Sequence, residues 1–150
     1  MTRIALLAAA AALGLAASAH AAPTFIPSPM AASPIGAGAI VPAGSAIFFV
    51  SGIPGDAKAG NTEAQTMDCL TKLGKVLAAQ GYSFSDVVNA KVYLVADPAT
   101  GKMDFPGMNA AFKTFFGTAT EPNKPSRVTV QVAGLASPGS LVEIELTAAK

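Results

Sequence analysis

The residues of this chain that are best suited to chemistry lie near its C-terminus. Two runs of alternating apolar and polar residues, 127–132 and 141–146, contain Arg127 and Glu143. An arginine can hold a carboxylate with two parallel hydrogen bonds, which a lysine cannot, and a glutamate can orient or activate a water molecule. If helices cover the valine face of these strands, Arg127 and Glu143 share the opposite face. The alternative is an exposed ion pair between strands, which contributes less than about 1 kcal/mol.

The composition excludes several other kinds of catalytic centre. The 150 residues include one histidine, His20, and one cysteine, Cys69. A serine or cysteine nucleophile with a histidine base needs an imidazole, and zinc or copper sites need several cysteine or histidine ligands. We therefore expect no metal ion. Cys69 lies among apolar residues at helical spacing, which indicates a buried and unreactive thiol.

Residues 1–21 have the features of a secretory signal peptide. Arg3 precedes an apolar run, 4–17, which is shorter than the roughly 20 residues of a membrane-spanning helix, and Ala19-His20-Ala21 is a suitable cleavage site. Cleavage before Ala22 would give a periplasmic or secreted protein, and the alternative is an uncleaved membrane anchor. Without Arg3, nine of the ten Lys+Arg residues remain against nine Asp+Glu. Because such a chain is neutral, we expect neither nucleic acid nor, after cleavage, a membrane as its partner.

Hydrophobic periodicity indicates the elements that position the candidate residues in the first half of the chain. Residues 22–32 are rich in proline and are expected to be flexible, with no regular element before Ile40. The β-branched and aromatic run 46–50 predicts a strand. Thr62 and Gln65 form a capping-box pattern at the start of a helix over about 62–80.

The second half of the chain predicts a strand, a helix and two further strands. Residues 87–95 alternate as a strand does. Asp104 is the expected N-cap of a helix whose phenylalanines recur at helical spacing as far as Phe116 and face the core, and Gly117 can end it. The last two strands, separated by a turn-rich segment, are expected to form an antiparallel pair. This order predicts an α+β domain with two helices on one face of a sheet.

From Ser33 to Thr147 the sequence resembles the Rid (YjgF-like) family of reactive-intermediate imine/enamine deaminases. The most specific feature is Pro125-x-Arg127-x-x-Val130-x-Val132 followed by Val142-Glu143-Ile144-Glu145. The other matching features are Ile35-Gly36, Val50-Ser51-Gly52, Gln65, Gly81 with Asp86-Val87-Val88, Val92-Tyr93-Leu94, Asn109, Phe112, Phe115-Phe116 and Leu135. Residues 33–150 are accordingly assigned to a Rid-like domain.

The resemblance implies a chorismate-mutase-like fold that assembles as a homotrimer, with sites in the clefts between neighbouring subunits. It implies that Arg127 binds the substrate carboxylate and that Glu143 positions or activates a water molecule. Ser51 and Asn109 match pocket positions of the family. Thr129 stands where many members have a cysteine that contributes a backbone N–H.

The main departure from the family pattern lies at Gly38, because the family's Gly-Pro-Tyr is Gly36-Ala37-Gly38 here. Gly38 therefore occupies the position of the pocket tyrosine. The resemblance implies an enzyme of the 2-iminobutanoate/2-iminopropanoate deaminase type, which hydrolyses 2-imino acids to 2-keto acids and ammonia without a cofactor, and the signal-peptide features predict that it is exported. The alternative is a non-catalytic trimer that binds small carboxylates or apolar molecules in the same cleft.

Overall fold

In the computed structural model, which describes residues 21–150, a four-stranded sheet supports the domain. Its strands are β3 (Ile47–Pro54), β4 (Val87–Val95), β5 (Ser126–Val132) and β6 (Val142–Ala149), and their order in the sheet is β3-β6-β4-β5. Strand β6 is antiparallel to both of its neighbours, whereas β4 and β5 are parallel. Helices α1 (Thr62–Ala79) and α2 (Phe105–Phe112) pack on one face and complete the predicted α+β fold. The predicted signal peptide, except for its last residue, lies outside the described residues.

Two short strands precede this sheet. Strands β1 (Thr24–Ile26) and β2 (Gly38–Ile40) pair antiparallel in a small sheet of their own. The prediction that no regular element precedes Ile40 is therefore wrong, and β1 lies inside the proline-rich segment 22–32. Pro23 and Pro27 flank β1 without entering it, so the strand keeps its backbone N–H donors.

Helix α1 has nearly the predicted bounds but a different cap. The side chain of Asn61 accepts a hydrogen bond from the N–H of Ala64 at 3.0 Å, so Asn61 is the N-cap and the capping box predicted at Thr62 is wrong. Gln65 is buried instead. Its amide donates to Gly60 O at 2.9 Å and accepts from the N–H of Leu141 at 2.8 Å, which ties α1 to the start of β6.

Helix α2 begins as predicted and ends earlier. The carboxylate of Asp104 accepts from the N–H of Gly107 at 2.9 Å and caps the helix. The helix ends at Phe112, but Phe116 in the following turns is still buried, so this part of the aromatic stripe faces the core as predicted. Within residues 21–150, no helix is both long enough and apolar enough to cross a membrane.

The last two strands are not neighbours. Strand β5 forms the edge of the sheet beside β4, and β6 lies between β3 and β4. The predicted antiparallel pairing of β5 with β6 is therefore wrong. The turn-rich segment between them carries the chain past β4 instead of forming a hairpin. Alternation in a sequence defines two faces of a strand but does not define which strand lies beside it.

The inward face of β5 is also the opposite of the predicted one. Val128 and Val130 are 47% and 40% exposed. Arg127 is in register with Ala90, which is fully buried beneath the helices. Arg127 and Thr129 therefore lie on the face that the helices cover, and the valines lie on the other side, here called the open face. The prediction assumed that the more apolar face of every strand turns inward, and an edge strand does not have to follow that rule.

Candidate functional site: a cleft between helix α2 and the edge strand

Arg127 lies between two aromatic rings at the edge of the sheet. Its guanidinium carbon is 4.4 Å from the ring centroid of Phe112 and 5.7 Å from that of Phe105. Its Nη2 donates to Asn109 Oδ1 at 2.7 Å. The spacing of Phe105, Asn109 and Phe112 places all three on one face of α2. Helix α2 therefore fixes the position and the plane of the guanidinium group.

The Arg127 guanidinium is a cation without a counter-charge among the residues that the structure describes. Burial lowers its pKa to about 10, because the charged form loses hydration, and the group stays positive at neutral pH. Arg127 takes part in neither of the ion pairs found among residues 21–150. Its Nη1 is buried and has no hydrogen-bond partner among the same residues. A bound anion would supply both the missing acceptor and the missing charge.

Thr129 adds a second unpartnered polar atom beside Arg127. It is the next residue of β5 on the same face, about 6.6 Å further along the strand. Its Oγ1 is buried and has no hydrogen-bond partner among the described residues. We refer to the region where α2 meets β5, formed by Phe105, Asn109, Phe112, Arg127 and Thr129, as the Arg127 cleft.

A second contact fastens α2 to β5 beyond Thr129. The side-chain oxygen of Gln131 accepts a hydrogen bond at 3.2 Å from the N–H of Met103, the residue before the N-cap of α2. Together with the bond between Arg127 and Asn109, this contact holds both ends of the cleft. The walls of the cleft are therefore set by helix α2, the residue before its N-cap and strand β5.

Glu143 lies on the open face, away from Arg127. It is in register with Tyr93 of β4, whereas Arg127 is in register with Ala90. Two strand spacings and three residues therefore separate the backbones of Arg127 and Glu143 by about 14 Å. The prediction that these two residues share a face within one chain is wrong, because β5 turns its polar side toward the helices.

A β-bulge in β3 receives the side chain of Glu143. The register of β3 shifts between Val50 and Ile53, so Ser51 and Gly52 oppose one residue of β6. A Cβ on Gly52 would collide with the carboxylate of Glu143, so the absence of a side chain there makes room for this glutamate. We refer to Ser51, Gly52 and Glu143 as the bulge group.

Ser51 is exposed on the open face. It lines a cavity of about 270 Å³ together with Phe49 and with Lys91 and Glu145, whose Nζ and Oε1 form an ion pair of 2.6 Å. Gly38 begins β2 in the small sheet, and a Cβ added to it would meet nothing within 4 Å. The structure thus brings Arg127, Asn109 and Thr129 together, and it places neither the bulge group nor Gly38 in that cluster.

Sequence reasoning assigned the phenylalanines of α2 to the core and did not assign Phe105 to the site. Phe105 is 39% exposed and flanks the guanidinium, whereas Phe112 is buried and contacts both the core and Arg127. The i, i+4 spacing of Phe105 and Asn109 could have assigned Phe105 to the site, because it places the ring on the same helix face as the Asn109 amide.

Cys69 is buried, as predicted. Its Sγ donates to Ile53 O at 2.9 Å, and burial raises its pKa to about 12. At neutral pH the thiol is therefore protonated, which makes it a poor nucleophile and a poor metal ligand. Among residues 21–150, no three histidine, cysteine or acidic side chains come together as a metal site would require.

Comparison with known sequences identifies the family. The family model described as Endoribonuclease L-PSP matches residues 30–150. A RutC family protein of Pyrococcus horikoshii is 35% identical over 115 residues, which cover 73% of this chain and 83% of that protein. A 2-iminobutanoate/2-iminopropanoate deaminase of Rattus norvegicus is 37% identical over 89 residues, which cover 59% of this chain and 58% of that protein.

Solved structures share the fold. A Rid family protein of Yersinia pestis has a TM-score of 0.67 and 24% identity, over 85% of this chain and 98% of that one. A member of the YjgF/YER057c/UK114 family from Mycobacterium tuberculosis has a TM-score of 0.56 and 26% identity, over 85% and 98% of the two chains. The family match over residues 30–150 and this shared fold together show that the chain belongs to the Rid (YjgF-like) family.

Proposed function

We propose that this protein is an imine deaminase that hydrolyses 2-imino acids to 2-keto acids and ammonia. The observation that carries the proposal is the half-buried Arg127 guanidinium, which finds no counter-charge and no partner for its Nη1 within residues 21–150. This arrangement suits the carboxylate of a small acid. Relatives named 2-iminobutanoate/2-iminopropanoate deaminase support the choice of substrate class.

The proposed reaction needs one water molecule and no cofactor, because the carbon of a C=N bond is already electrophilic. With the substrate carboxylate on Arg127, water adds to that carbon and a proton passes to the nitrogen. The resulting carbinolamine loses ammonia as its hydroxyl oxygen becomes the keto oxygen. Glu143 would orient the water and relay the proton, and the site contributes mainly positioning and proton transfer.

Glu143 can take this part only if it comes from another subunit, since it lies on the opposite face from Arg127 of its own chain. We therefore propose a homotrimer in which each site combines the Arg127 cleft of one subunit with the bulge group of its neighbour. The open face supports this assembly, because Phe49 of β3 is 76% exposed, and Val128 and Val130 of β5, at the opposite edge of the sheet, are 47% and 40% exposed. Light scattering should give three times the mass of one chain, and the mass of a single chain would contradict the proposal.

The activity test follows the loss of 2-iminopropanoate that an amino-acid oxidase produces from alanine. Wild-type protein should shorten the lifetime of the imine and release pyruvate and ammonia in equal amounts. Arg127→Ala is the matched variant, because it removes the carboxylate anchor. A wild-type rate equal to the rate without protein would overturn the proposed activity on this substrate.

Binding without turnover is the second candidate function. The observation that favours it is Gly38, which stands at the position of the family tyrosine and has open space around it. In that case, calorimetry should detect tight binding of 2-keto acids or short fatty acids by a protein that does not accelerate imine hydrolysis. If Gly38 lines the site, the same open space would accommodate a larger substrate side chain in the deaminase.

We further propose that the protein acts outside the cytoplasm, in the periplasm or after secretion. The proposal is based on the signal-peptide features of residues 1–21. N-terminal sequencing of the exported protein should begin at Ala22. Recovery of the whole chain, starting at Met1, from the cytoplasmic fraction would contradict export.

A further inference from the structure

We infer that a cavity between the proline-rich segment and the residues before β5 is a second ligand site, which takes small aromatic carboxylates. The cavity has a volume of about 520 Å³, about twice that of the cavity beside Ser51. None of its lining residues belongs to the Arg127 cleft or to the bulge group. This site is therefore separate from the one proposed for imine hydrolysis, and its occupancy does not depend on that reaction.

Backbone hydrogen bonds hold the wall of the cavity that residues 27–36 form. The N–H of Ala37 donates to Ile26 O at 2.8 Å, which brings the two ends of this segment together as in an Ω-loop. The N–H of Gly36 donates to Pro125 O at 3.0 Å and fastens the loop to the residue before β5. The shape of the cavity is therefore set by contacts within the protein, and a ligand has little loop ordering to bring about.

The lining of the cavity is mainly apolar. Its apolar members are an aromatic ring, two prolines, an aliphatic side chain and a thioether, which belong to Phe25, Pro27, Pro122, Ile26 and Met30. Met30 is 70% exposed, so the cavity presents apolar surface to water. An aromatic ring can pack against Phe25, and a methionine sulfur makes favourable contacts with aromatic rings. The volume lies in the range of small-molecule sites, so these walls suit a ligand with one aromatic ring.

Lys124 gives the cavity its charge. Among the described residues of the lining it alone is charged, and it takes part in neither ion pair found within residues 21–150. Its Nζ donates to Ser33 O at 2.9 Å, and the N–H of Ser33 donates to Met30 O at 2.9 Å. The ammonium group therefore lies against the turn that carries Met30 and Ala31, two residues of the lining.

The charge of Lys124 selects an anionic ligand. An ammonium group has three donors, and Ser33 O is the one acceptor that Nζ finds within residues 21–150. Donors remain for a carboxylate, which would also supply the missing counter-charge. Apolar walls beside a single cation are complementary to a molecule with a ring at one end and a carboxylate at the other.

Calorimetry with 3-phenylpropanoate tests the site, with 3-phenylpropan-1-ol as the uncharged counterpart. Wild-type protein should bind the acid at least about fivefold more tightly than the alcohol, because only the acid pairs with Lys124. Ala31→Trp fills the cavity from an exposed loop position and should weaken binding of the acid at least about tenfold. Ala43→Trp is the matched control, since Ala43 is exposed in another turn outside the lining, and it should leave the affinity unchanged.

Substitutions of Lys124 test the charge separately from the walls. Lys124→Met keeps an unbranched side chain and removes the ammonium group, so it should weaken the acid at least about fivefold and leave the alcohol unchanged. Lys124→Arg should keep the preference for the acid. Lys113→Met is the control, because Lys113 is an exposed lysine outside the lining. Equal loss of both ligands in a folded Lys124→Met protein would contradict the role of the charge.

The same titrations in Arg127→Ala protein exclude binding in the Arg127 cleft. The acid should still bind once per chain with wild-type affinity. Loss of binding in this variant would place the acid in the Arg127 cleft and overturn the inference. Unchanged affinity in folded Ala31→Trp protein, or no binding by the wild type, would overturn it too. Imine hydrolysis is measured separately with 2-iminopropanoate, so none of these outcomes decides the proposed activity.

Discussion

At the scale of single residues, the environment of Arg127 determines what the cleft can bind. Phe105 and Phe112 stack on the guanidinium and its Nη2 donates to Asn109, which leaves Nη1 without a partner among the described residues. Stacking and a hydrogen bond hold the plane of the group before any ligand arrives. An anchor that is already oriented loses little conformational entropy on binding.

Arg127→Lys should therefore impair the site while keeping its charge. A lysine has neither the flat surface that stacks on two rings nor the fork that pairs with a carboxylate, so turnover or ligand affinity should fall at least tenfold, which corresponds to about 1.4 kcal/mol. Steady-state kinetics on 2-iminopropanoate measure this effect. Lys113→Arg, a conservative change at an exposed residue beside α2, is the control and should have wild-type activity. Equal activity of the Arg127 variant and the wild type would remove Arg127 from the site.

At the scale of secondary-structure elements, the bulge in β3 determines where Glu143 points. The extra residue of a bulge bends the strand, and Gly52 leaves an opening into which the carboxylate of Glu143 fits. The nearest atom to a Cβ at Gly52 is at the far end of this flexible side chain, so the glutamate and not the backbone would have to move. The bulge thus affects the direction of Glu143 more than it affects stability.

Gly52→Ala should accordingly separate catalysis from folding. The added methyl group displaces the carboxylate of Glu143, so kcat should fall at least about tenfold, while the thermal midpoint changes by only a few degrees. Gly134→Ala is a matched control, because a Cβ at Gly134 meets nothing within 4 Å. A wild-type kcat for the Gly52 variant would show that the direction of Glu143 does not matter for the reaction.

The hydrogen bonds of Gln65, which connect α1 to the start of β6, predict a substitution that lowers the stability of the fold. Gln65→Leu leaves the buried N–H of Leu141 and the carbonyl of Gly60 without their partners, so the free energy of unfolding should fall by about 3 kcal/mol. Urea denaturation measures this change. Gln80→Ala removes an exposed amide at the end of the same helix and should cost less than about 0.5 kcal/mol. A loss below about 1 kcal/mol for Gln65→Leu would contradict this account of the contact.

The features that could be predicted from the sequence are the local ones. The spacing of Leu70, Leu73 and Leu77 predicts α1, and the carboxylate of Asp104 predicts the start of α2, because these signals act within one or two turns. The position of β6 between β3 and β4 depends on contacts between distant parts of the chain, which alternation does not encode. The inward face of β5 was predicted wrongly for the same reason: alternation does not show that β5 is an edge strand, which can expose its valines.

The candidate site was predictable by residue type but not by arrangement. The family motif in the sequence identifies Arg127 and Asn109, and α2 brings them into contact. Glu143 was placed on their face because the inward side of β5 was misassigned. The helical spacing of the phenylalanines predicts that Phe105 belongs to the core, but its exposure depends on how α2 sits at the sheet edge.

At the scale of the whole molecule, the two halves of the proposed site face away from each other. The Arg127 cleft lies beneath α2 at one edge of the sheet, and the bulge group lies on the open face, where β3 and β6 meet. A cyclic homotrimer can resolve this separation, because each subunit then offers its cleft to one neighbour and its bulge group to the other. The exposed apolar side chains of the open face would be covered in the same step.

Mixing two inactive variants tests this arrangement directly. Arg127→Ala and Glu143→Gln trimers should each be inactive, and subunits unfolded, mixed in equal amounts and refolded together should regain activity. Every mixed trimer then contains one intact site, formed by the Arg127 of one variant and the Glu143 of the other. Three quarters of the trimers are mixed, so recovery should reach about one quarter of the wild-type rate if the three sites act independently.

The control for this experiment is each variant refolded alone, which should stay inactive. If both residues act from the same chain, no mixture restores activity, because every subunit carries one of the two substitutions. Recovery near zero from trimers of the correct mass would therefore refute the shared site. Because Arg127 and Glu143 lie about 14 Å apart on opposite faces of one chain, a single-chain site would also require the edge of the sheet to rearrange.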